Sequence, residues 1–199
     1  MDNNGLILIL LIIVCLVIWF VFLSPQAQEK KAEQKRIEAE IQKNREAEIN
    51  QLKKEREDYI KSVRENKPNF ILQARIEFER AYKASGGGTS FFGQEKSPLA
   101  CFGYIVGKTK GRKPAERKQI IEYTLCADIP DFFPKSYSME WGAPLSVTRF
   151  KRIHSHLTSM ADLRASRTNF AAAVSDWRAD ADWMRTTLAN DVLKYGSIN

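Results

Sequence analysis

The strongest pattern in the chain is an unbroken apolar run near its start. Residues 5–23 read GLILILLIIVCLVIWFVFL, nineteen residues without a charged side chain. At about 1.5 Å of rise per residue, a helix of this length measures roughly 28 Å, close to the roughly 30 Å hydrocarbon core of a bilayer. The run predicts a single transmembrane helix within residues 1–24, with the lipid bilayer as its partner. The side chains expected to anchor it are those of Leu6, Ile9, Ile13, Leu16, Trp19 and Phe20.

The flanks of this run indicate that it is retained and which way it faces. A cleaved signal peptide has a basic start and a small-residue cleavage site, whereas MDNN precedes this run and Pro25 stands where a small residue is needed. Lysine and arginine favour the cytoplasmic end of a span. None precedes the run, and five follow it within about 20 residues; they are Lys30, Lys31, Lys35, Arg36 and Lys43. We therefore expect a single-pass protein of the cell inner membrane, with its N-terminus outside and its C-terminal domain in the cytoplasm.

Residues 25–67 change to Glu, Lys, Gln, Arg and Ala, without glycine or an interior proline. These are strong helix formers, so the segment is predicted to be a long, charged helical stalk. Its apolar residues recur at gaps of 8, 3, 8 and 3, an eleven-residue repeat that would wind paired helices weakly right-handed. They are Ile41, Ile49, Leu52, Ile60 and Val63. A homo-oligomeric coiled coil and a solitary helix both remain open, and association is favoured because a membrane anchor raises the local concentration.

From residue 68 onward, apolar residues recur at helical spacing in several segments. Helices are predicted from Pro68, from Pro98 through Tyr104, over residues 115–127, from an N-cap at Ser146, and from an N-cap at Thr168 or Asn169. Residues 129–144 have no period and are expected to be a connection. A short hairpin at residues 104–106 is the one expected exception to helix. The prediction is an all-α, basic domain over residues 68–199, built as a bundle of four or five helices.

Residues 85–97 are rich in glycine and serine and show no periodicity, which predicts a flexible surface loop. Phe91 and Phe92 lie within it. They either contact a partner or pack back onto their own domain, and the second alternative is favoured.

The formal charge of +7 is concentrated in one short segment. Residues 108–118 hold six basic residues and one acid, whereas residues 119–199 hold nine of each. The six are Lys108, Lys110, Arg112, Lys113, Arg117 and Lys118. Such a cluster suits contact with a protein partner or with the phosphates of nucleic acid or anionic lipid, and a solvated loop is the alternative. No interleaved aromatic residues or recognition helix accompany it, so sequence-specific readout of nucleic acid is not expected.

Residues with catalytic or metal-binding chemistry do not form a recognised motif. The three cysteines lack CxxC or Cys-His spacing and are expected to be reduced thiols. His154 and His156 are two residues apart on a predicted helix, so they point to different sides and do not predict a metal site. We expect neither an enzyme nor a cofactor nor a small-molecule substrate. A cryptic enzyme is the alternative, and it requires Glu140, His154 or His156 to converge in a pocket.

The last predicted helix carries Asp176, Asp180 and Asp182 beside Trp177 and Trp183. Acidic side chains are rarely buried, whereas tryptophan is buried on average. These residues are therefore expected to be solvated acids next to core tryptophans.

A set of short motifs resembles a small, uncharacterised bacterial accessory domain. The motifs are GYIVG at residues 103–107, Arg117, EWG at residues 140–142, and the following Ser146 and Arg149. The match would extend from Pro98 to about Trp183. The resemblance implies a bacterial or phage origin and a module fused to varied partners, and it implies no activity.

These observations together predict a membrane-anchored adaptor or scaffold. Its basic helical domain would be presented in the cytoplasm to a protein partner or to nucleic acid. Two alternatives remain, a non-specific nucleic-acid-binding protein tethered to the membrane and a cryptic enzyme subunit.

Overall fold

The computed structural model describes residues 3–23, 25–92 and 95–196 of the chain. Throughout these residues the regular structure is helical and no strand is present, which confirms the all-α class. The chain divides into two compact units, Met1–Gln51 and Leu52–Asn199.

The first unit contains helix α1 (Asn3–Leu23) and most of helix α2 (Pro25–Glu65). Within the described residues, one helical stretch is long and apolar enough to cross a membrane, judged by length and composition, and its apolar part is α1. Every side chain from residue 7 to residue 21 is exposed. A helix that is apolar on all sides needs an apolar environment around it, either a protein core or a bilayer.

Helix α2 forms because its sequence combines strong helix formers with pairs of side chains four residues apart. Gln34 donates a hydrogen bond to Glu38 at 3.2 Å, and Gln42 donates one to Glu46 at 2.8 Å. The apolar side chains in the first unit's part of α2 are solvent-exposed; they are Ile37, Ile41 and Ile49.

The second unit begins inside α2, before the proline boundary that the composition indicates. Tyr59 donates a hydrogen bond to Glu122 at 2.8 Å, and Lys194 pairs with Glu55 at 2.8 Å. Ile60 is 9% exposed and belongs to the hydrophobic core. The last turns of α2 are therefore part of the folded domain as well as part of the charged helix.

Four longer helices form the framework of the second unit together with the end of α2, and short helices and turns connect them. The longer helices are α3 (Asn69–Ala84), α5 (Pro114–Cys126), α7 (Val147–Arg164) and α8 (Ala171–Trp183). The short ones are α4 (Pro98–Cys101), α6 (Lys135–Glu140) and α9 (Ala189–Tyr195). A π-helical turn, Met184–Leu188, joins α8 to α9.

The core lies where α5, α7 and α8 meet. Its fully buried side chains include Trp141, Phe102, Ile120, Ile121, Leu157 and Met184. Helices α7 and α8 form the most extensive helix pair. The apolar spacing along both helices supplies this contact, as amphipathic helices require.

The structure confirms the predicted N-cap of α7, since the Ser146 hydroxyl accepts a hydrogen bond from the Arg149 backbone N–H at 3.1 Å. The predicted cap of the last helix is wrong. Thr168 and Asn169 form a 3₁₀ turn, and α8 begins after it at Ala171.

Two expectations about irregular segments are also wrong. Residues 104–106 form no strand and no hairpin. The Tyr104 N–H donates to the Leu99 carbonyl of α4, and the Ile105 carbonyl accepts from the Arg112 N–H. The connection over residues 129–144 contains α6, whose six residues are too few to show helical periodicity.

The segment expected to be a flexible loop contains a 3₁₀ turn, Thr89–Phe91. Phe91 packs edge-on against Phe78 at 5.4 Å between ring centroids, and Phe92 lies 4.7 Å from Phe133. Both phenylalanines therefore contact their own domain. Gly93 and Gln94 of the expected loop lie outside the described residues.

Candidate functional site

A buried ion network joins α5 to α8. Arg117 of α5 donates from Nε to Asp180 Oδ2 at 2.6 Å, and its Nη2 lies 3.0 Å from Asp176 Oδ1. The Tyr104 hydroxyl donates to the same Asp180 oxygen at 2.7 Å. Asp176 and Asp180 are one helical turn apart, so both carboxylates face one guanidinium. The side chains of Arg117 and Asp180 are only 4% and 2% exposed.

Burial shifts the ionisation of this network. Burial alone would lower the pKa of Arg117, but the hydrogen bond and charge of Asp180 outweigh it, and the pKa is raised. Burial raises the pKa of Tyr104, and the charge of Asp180 raises it further. At neutral pH the arginine is therefore charged and the tyrosine is neutral. Neither group is poised to exchange a proton near pH 7, so the network holds structure.

The same network fixes the loop that precedes α5. Gly107 N–H donates to Asp176 Oδ2 at 2.9 Å, and Arg117 Nη1 donates to the Arg112 carbonyl at 2.8 Å. Gly107 has φ of +103°, which favours glycine. Loop 103–113 is thereby tied to α8 at one end and to α5 at the other.

The predicted basic cluster divides into structural and solvent-facing cations. Arg117 is buried in the ion network, so its assignment as an anion or partner contact is wrong for the folded domain. Arg112 stacks on Phe70 at 4.4 Å and donates to the Gly103 carbonyl at 2.7 Å. Lys118 lies 5.3 Å from the ring centre of Trp183. The remaining three cations are exposed on the loop; they are Lys108, Lys110 and Lys113.

A second buried arginine organises the connection between α5 and α7. Arg149 is 3% exposed, and it donates to the backbone carbonyls of Ala127 and Gly142. Burial lowers its pKa to about 10, against the raising effect of Asp128. Because its donors bond to carbonyls at the ends of α5 and α6, Arg149 satisfies groups that helix ends leave unpaired.

A cavity of about 260 Å³ lies between α4, residues 104–106, α7 and α8. Its walls are mostly apolar, and four titratable side chains also line it, Glu95, Tyr104, His156 and Arg164. Arg164 pairs with Glu95 at 2.7 Å and lies 5.5 Å and 5.6 Å from the ring centres of Phe170 and Trp177. Burial lowers the pKa of His156 to about 4, so the imidazole is neutral at pH 7.

The candidate catalytic residues Glu140, His154 and His156 do not meet in this cavity. Glu140 pairs with Arg152 at 2.8 Å and is 56% exposed, and His154 stacks on Phe150 with ring centroids 6.4 Å apart. Neither lines the cavity that His156 lines. Among the described residues, no three histidine, cysteine or acidic side chains form a cluster able to hold a metal ion.

The other predicted site residues lie along the two long helices. In the anchor, Ile9, Ile13, Leu16, Trp19 and Phe20 are between 51% and 72% exposed, and the side chain of Leu6 is outside the described part. In the stalk, Ile41 and Ile49 are exposed, Leu52 is half-buried, and Ile60 and Val63 pack against the domain core. Ile60 and Val63 are thus occupied within their own chain and are not free for stalk association, which corrects that part of the prediction.

No family model matches the chain, and neither a curated protein nor a solved structure matches it. The resemblance to a bacterial accessory domain stays a prediction. Several residues that carry it, Tyr104, Arg117, Gly142 and Arg149, belong to the two buried polar networks.

Two features of this region are not predicted from the sequence. Asp180 is expected in solvent but is buried against Arg117; the available signal was Arg117 at the spacing of the buried residues Ile120, Ile121 and Thr124. The pairing of Arg164 with Glu95 has no local signal, because the two residues are 69 residues apart.

Proposed function

We propose that the protein is a single-pass, membrane-anchored adaptor whose helical domain binds a protein partner in the cytoplasm. The observation that carries this proposal is α1, a helix whose apolar side chains are all exposed from residue 7 to residue 21. Each Leu, Ile, Val or Phe favours insertion into a bilayer by about 0.3 to 0.6 kcal/mol, and no charged residue in the run opposes it. If this helix stays in the inner membrane, the stalk and the domain that follow it are held at the membrane.

The orientation of the adaptor is proposed from charge. The basic residues that follow the span favour the cytoplasmic side, and none precedes it. The buried cysteines fit this compartment, because Cys101 and Cys126 are free thiols and the cytoplasm keeps thiols reduced. Burial also raises the pKa of each to about 12, so both thiols stay protonated.

A binding role for the domain is supported by how its charged groups are used. Arg117, Asp180 and Arg149 are the buried charged residues, and all three hold neighbouring segments together. The domain also exposes a loop with lysines and has an apolar cavity with an arginine at its edge. A mostly apolar cavity with a few polar groups is typical of a binding site.

A homo-oligomer through the stalk is part of the proposal. Ile37 and Ile41 are one turn apart on α2, and Ile49 lies further along; all three are exposed. Burying an isoleucine side chain contributes about 1.5 to 3 kcal/mol, so pairing of two anchored chains along this stripe would stabilise both. Chemical crosslinking of wild type against an Ile37→Gln, Ile41→Gln, Ile49→Gln variant tests it, and equal crosslinking of the two would contradict it.

Membrane extraction tests the tether. We expect the full chain to stay in the membrane pellet of bacterial cells after washing with alkaline carbonate. A variant with Leu11→Lys and Val14→Lys should move to the soluble fraction, because each lysine at a helix centre costs about 2.5 to 3.5 kcal/mol. The matched control, Glu38→Lys with Glu46→Lys on exposed positions of α2, should stay in the pellet. A soluble wild-type chain would overturn the proposal.

The orientation is tested by protease added to spheroplasts. The C-terminal domain should be protected until the membrane is opened with detergent. Digestion of that domain in intact spheroplasts would place it outside the cytoplasm.

Non-specific nucleic-acid binding is a second candidate because Lys108, Lys110 and Lys113 are exposed together on one loop. Three phosphate contacts would give a slope of about −2.7 in a plot of log affinity against log salt. The anisotropy of a labelled 20-base-pair DNA measures this slope for wild type and for the variant with all three lysines changed to glutamine. An unchanged slope would remove this candidate.

A further inference from the structure

The cavity beside α7 and α8 has a positively charged edge. Arg164, at the end of α7, is held in place because its guanidinium lies against the rings of Phe170 and Trp177. Only 14% of the Arg164 side chain is exposed. Its contacts with Glu95 and with the Met160 sulfur use two of the five N–H groups of a guanidinium. The cation is therefore fixed in position with donors still available.

The carboxylate that Arg164 now binds is easily replaced. Glu95 Oε1 lies 2.7 Å from Arg164 Nη2, but the Glu95 side chain is 75% exposed. An ion pair with one partner in solvent contributes little to stability. Glu95 therefore shows which chemistry fits at this edge without closing the site to a competing carboxylate.

The rest of the cavity suits an apolar side chain. Leu99, Val106, Met160 and Ala173 line it, and Ile105 stands at its rim with 46% exposure. The volume of about 260 Å³ is below the range of about 300 to 1,000 Å³ that is usual for pockets holding drug-sized ligands and cofactors. His156, which also lines it, is neutral at pH 7 and adds no charge. The space fits a single large side chain.

We propose that this cavity binds a short peptide segment of a protein partner, in which an acidic residue adjoins a large apolar residue. The acidic side chain replaces Glu95 on Arg164, and the apolar side chain enters the space between α4 and α8. A peptide is favoured because the group now on Arg164 is itself a side chain of a polypeptide segment that runs past the cavity into Ser97 and α4. This inference rests on the proposed adaptor function and specifies the chemistry of the partner.

A random heptapeptide library displayed on phage is the probe. The full chain, held in detergent micelles, is the target, and an Arg164→Gln variant is used to subtract peptides that bind elsewhere. We expect selected peptides to share Asp or Glu next to Leu, Ile, Phe or Trp. Selected peptides without a common acidic residue would overturn the proposal.

A labelled copy of the selected peptide is then titrated with the full chain and followed by fluorescence anisotropy. Arg164→Gln should weaken binding at least about tenfold, as loss of a charge-assisted hydrogen bond does. Glu95→Gln should tighten binding about two- to fivefold, because it removes the competing carboxylate. The matched control is Arg178→Gln, an exposed arginine on α8 that lies 3.8 Å from Asp162, and it should change affinity less than twofold.

Glu95→Gln protects the test from a folding artefact. Arg164→Gln removes packing against Phe170 and Trp177, so a loss of binding in that variant is interpreted only beside its circular dichroism spectrum. Tighter binding in Glu95→Gln cannot come from unfolding. If Glu95→Gln leaves the affinity unchanged, the peptide does not use the Glu95 position and the proposal is wrong.

Phenylacetate separates peptide binding from capture of small carboxylates. The acid carries both a ring and a carboxylate, and it should compete with the peptide only weakly, at millimolar concentration. If it binds as tightly as the peptide, the site is one for small carboxylates and the peptide assignment falls. Cells that produce the same chain are also separated into membrane and soluble fractions. If the chain is in the membrane but selects no acidic peptides, the peptide inference is refuted and the proposed membrane anchor is not.

Discussion

Replacing Asp180 by asparagine removes the negative charge closest to the buried guanidinium of Arg117. The two side chains are 2% and 4% exposed and meet at 2.6 Å. Breaking a buried ion pair by removing one partner costs about 3 to 5 kcal/mol, because the other charge is left uncompensated. Asp176 stays 3.0 Å from Arg117 and is 27% exposed, so part of the compensation remains. We therefore expect Asp180→Asn to lower the free energy of unfolding by about 3 kcal/mol.

Urea unfolding of the full chain in detergent micelles measures this change. Tryptophan fluorescence reports mainly on the second unit, which contains Trp141, Trp177 and Trp183. The matched control is Asp182→Asn, since Asp182 is 64% exposed and pairs with Arg185, three residues later in the π-helical turn that follows α8. That variant should change stability by less than about 0.5 kcal/mol.

A double variant tests whether the destabilisation comes from the one charge that is left without its partner. Arg117→Met together with Asp180→Leu removes both charges, and it should be less destabilised than the sum of its single variants, because neither charge is left alone. If Asp180→Asn costs less than about 1 kcal/mol and equals Asp182→Asn, Arg117 is hydrated in the folded protein and the reasoning about the buried network is refuted.

Three further variants test other parts of the second unit by unfolding experiments on the full chain. Burial lowers the pKa of His156 to about 4 in the folded protein, below its ordinary value of about 6.5. Between these two values only the unfolded chain takes up the proton, so the free energy of unfolding decreases as the pH falls from 6.5 towards 4. The decrease is at most about 1.4 kcal/mol per pH unit. His156→Gln should flatten that part of the stability profile, and an unchanged profile would contradict it. Gly142→Ala should destabilise by about 2 kcal/mol, since φ is +73° and a new Cβ would lie 2.9 Å from Thr148 Cβ. Arg149→Met should cost about 3 kcal/mol by leaving the Ala127 and Gly142 carbonyls without their donor, and a cost below 1 kcal/mol would show that water replaces it.

Local sequence was sufficient for the helical class because helical spacing and composition act over a few residues. The composition of residues 25–67 predicted α2, and Ser146 predicted the start of α7 at the position where it occurs. The apolar run predicted the single helical stretch in the described part of the chain that is long and apolar enough for a membrane. In each case the determining interactions lie within the segment itself.

Tertiary structure alone decided the roles of the charged residues. Six basic residues look alike along residues 108–118, yet Arg117 is buried against Asp180, 63 residues away, while Lys108 is in solvent. Likewise Ile60 and Ile41 share one apolar stripe, but only Ile60 lies where the domain packs on α2. The cavity edge formed by Arg164 and Glu95 depends on the same kind of long-range packing. Periodicity identifies which side chains lie on one face of a helix, but the partner of that face is fixed only when the distant elements are brought together.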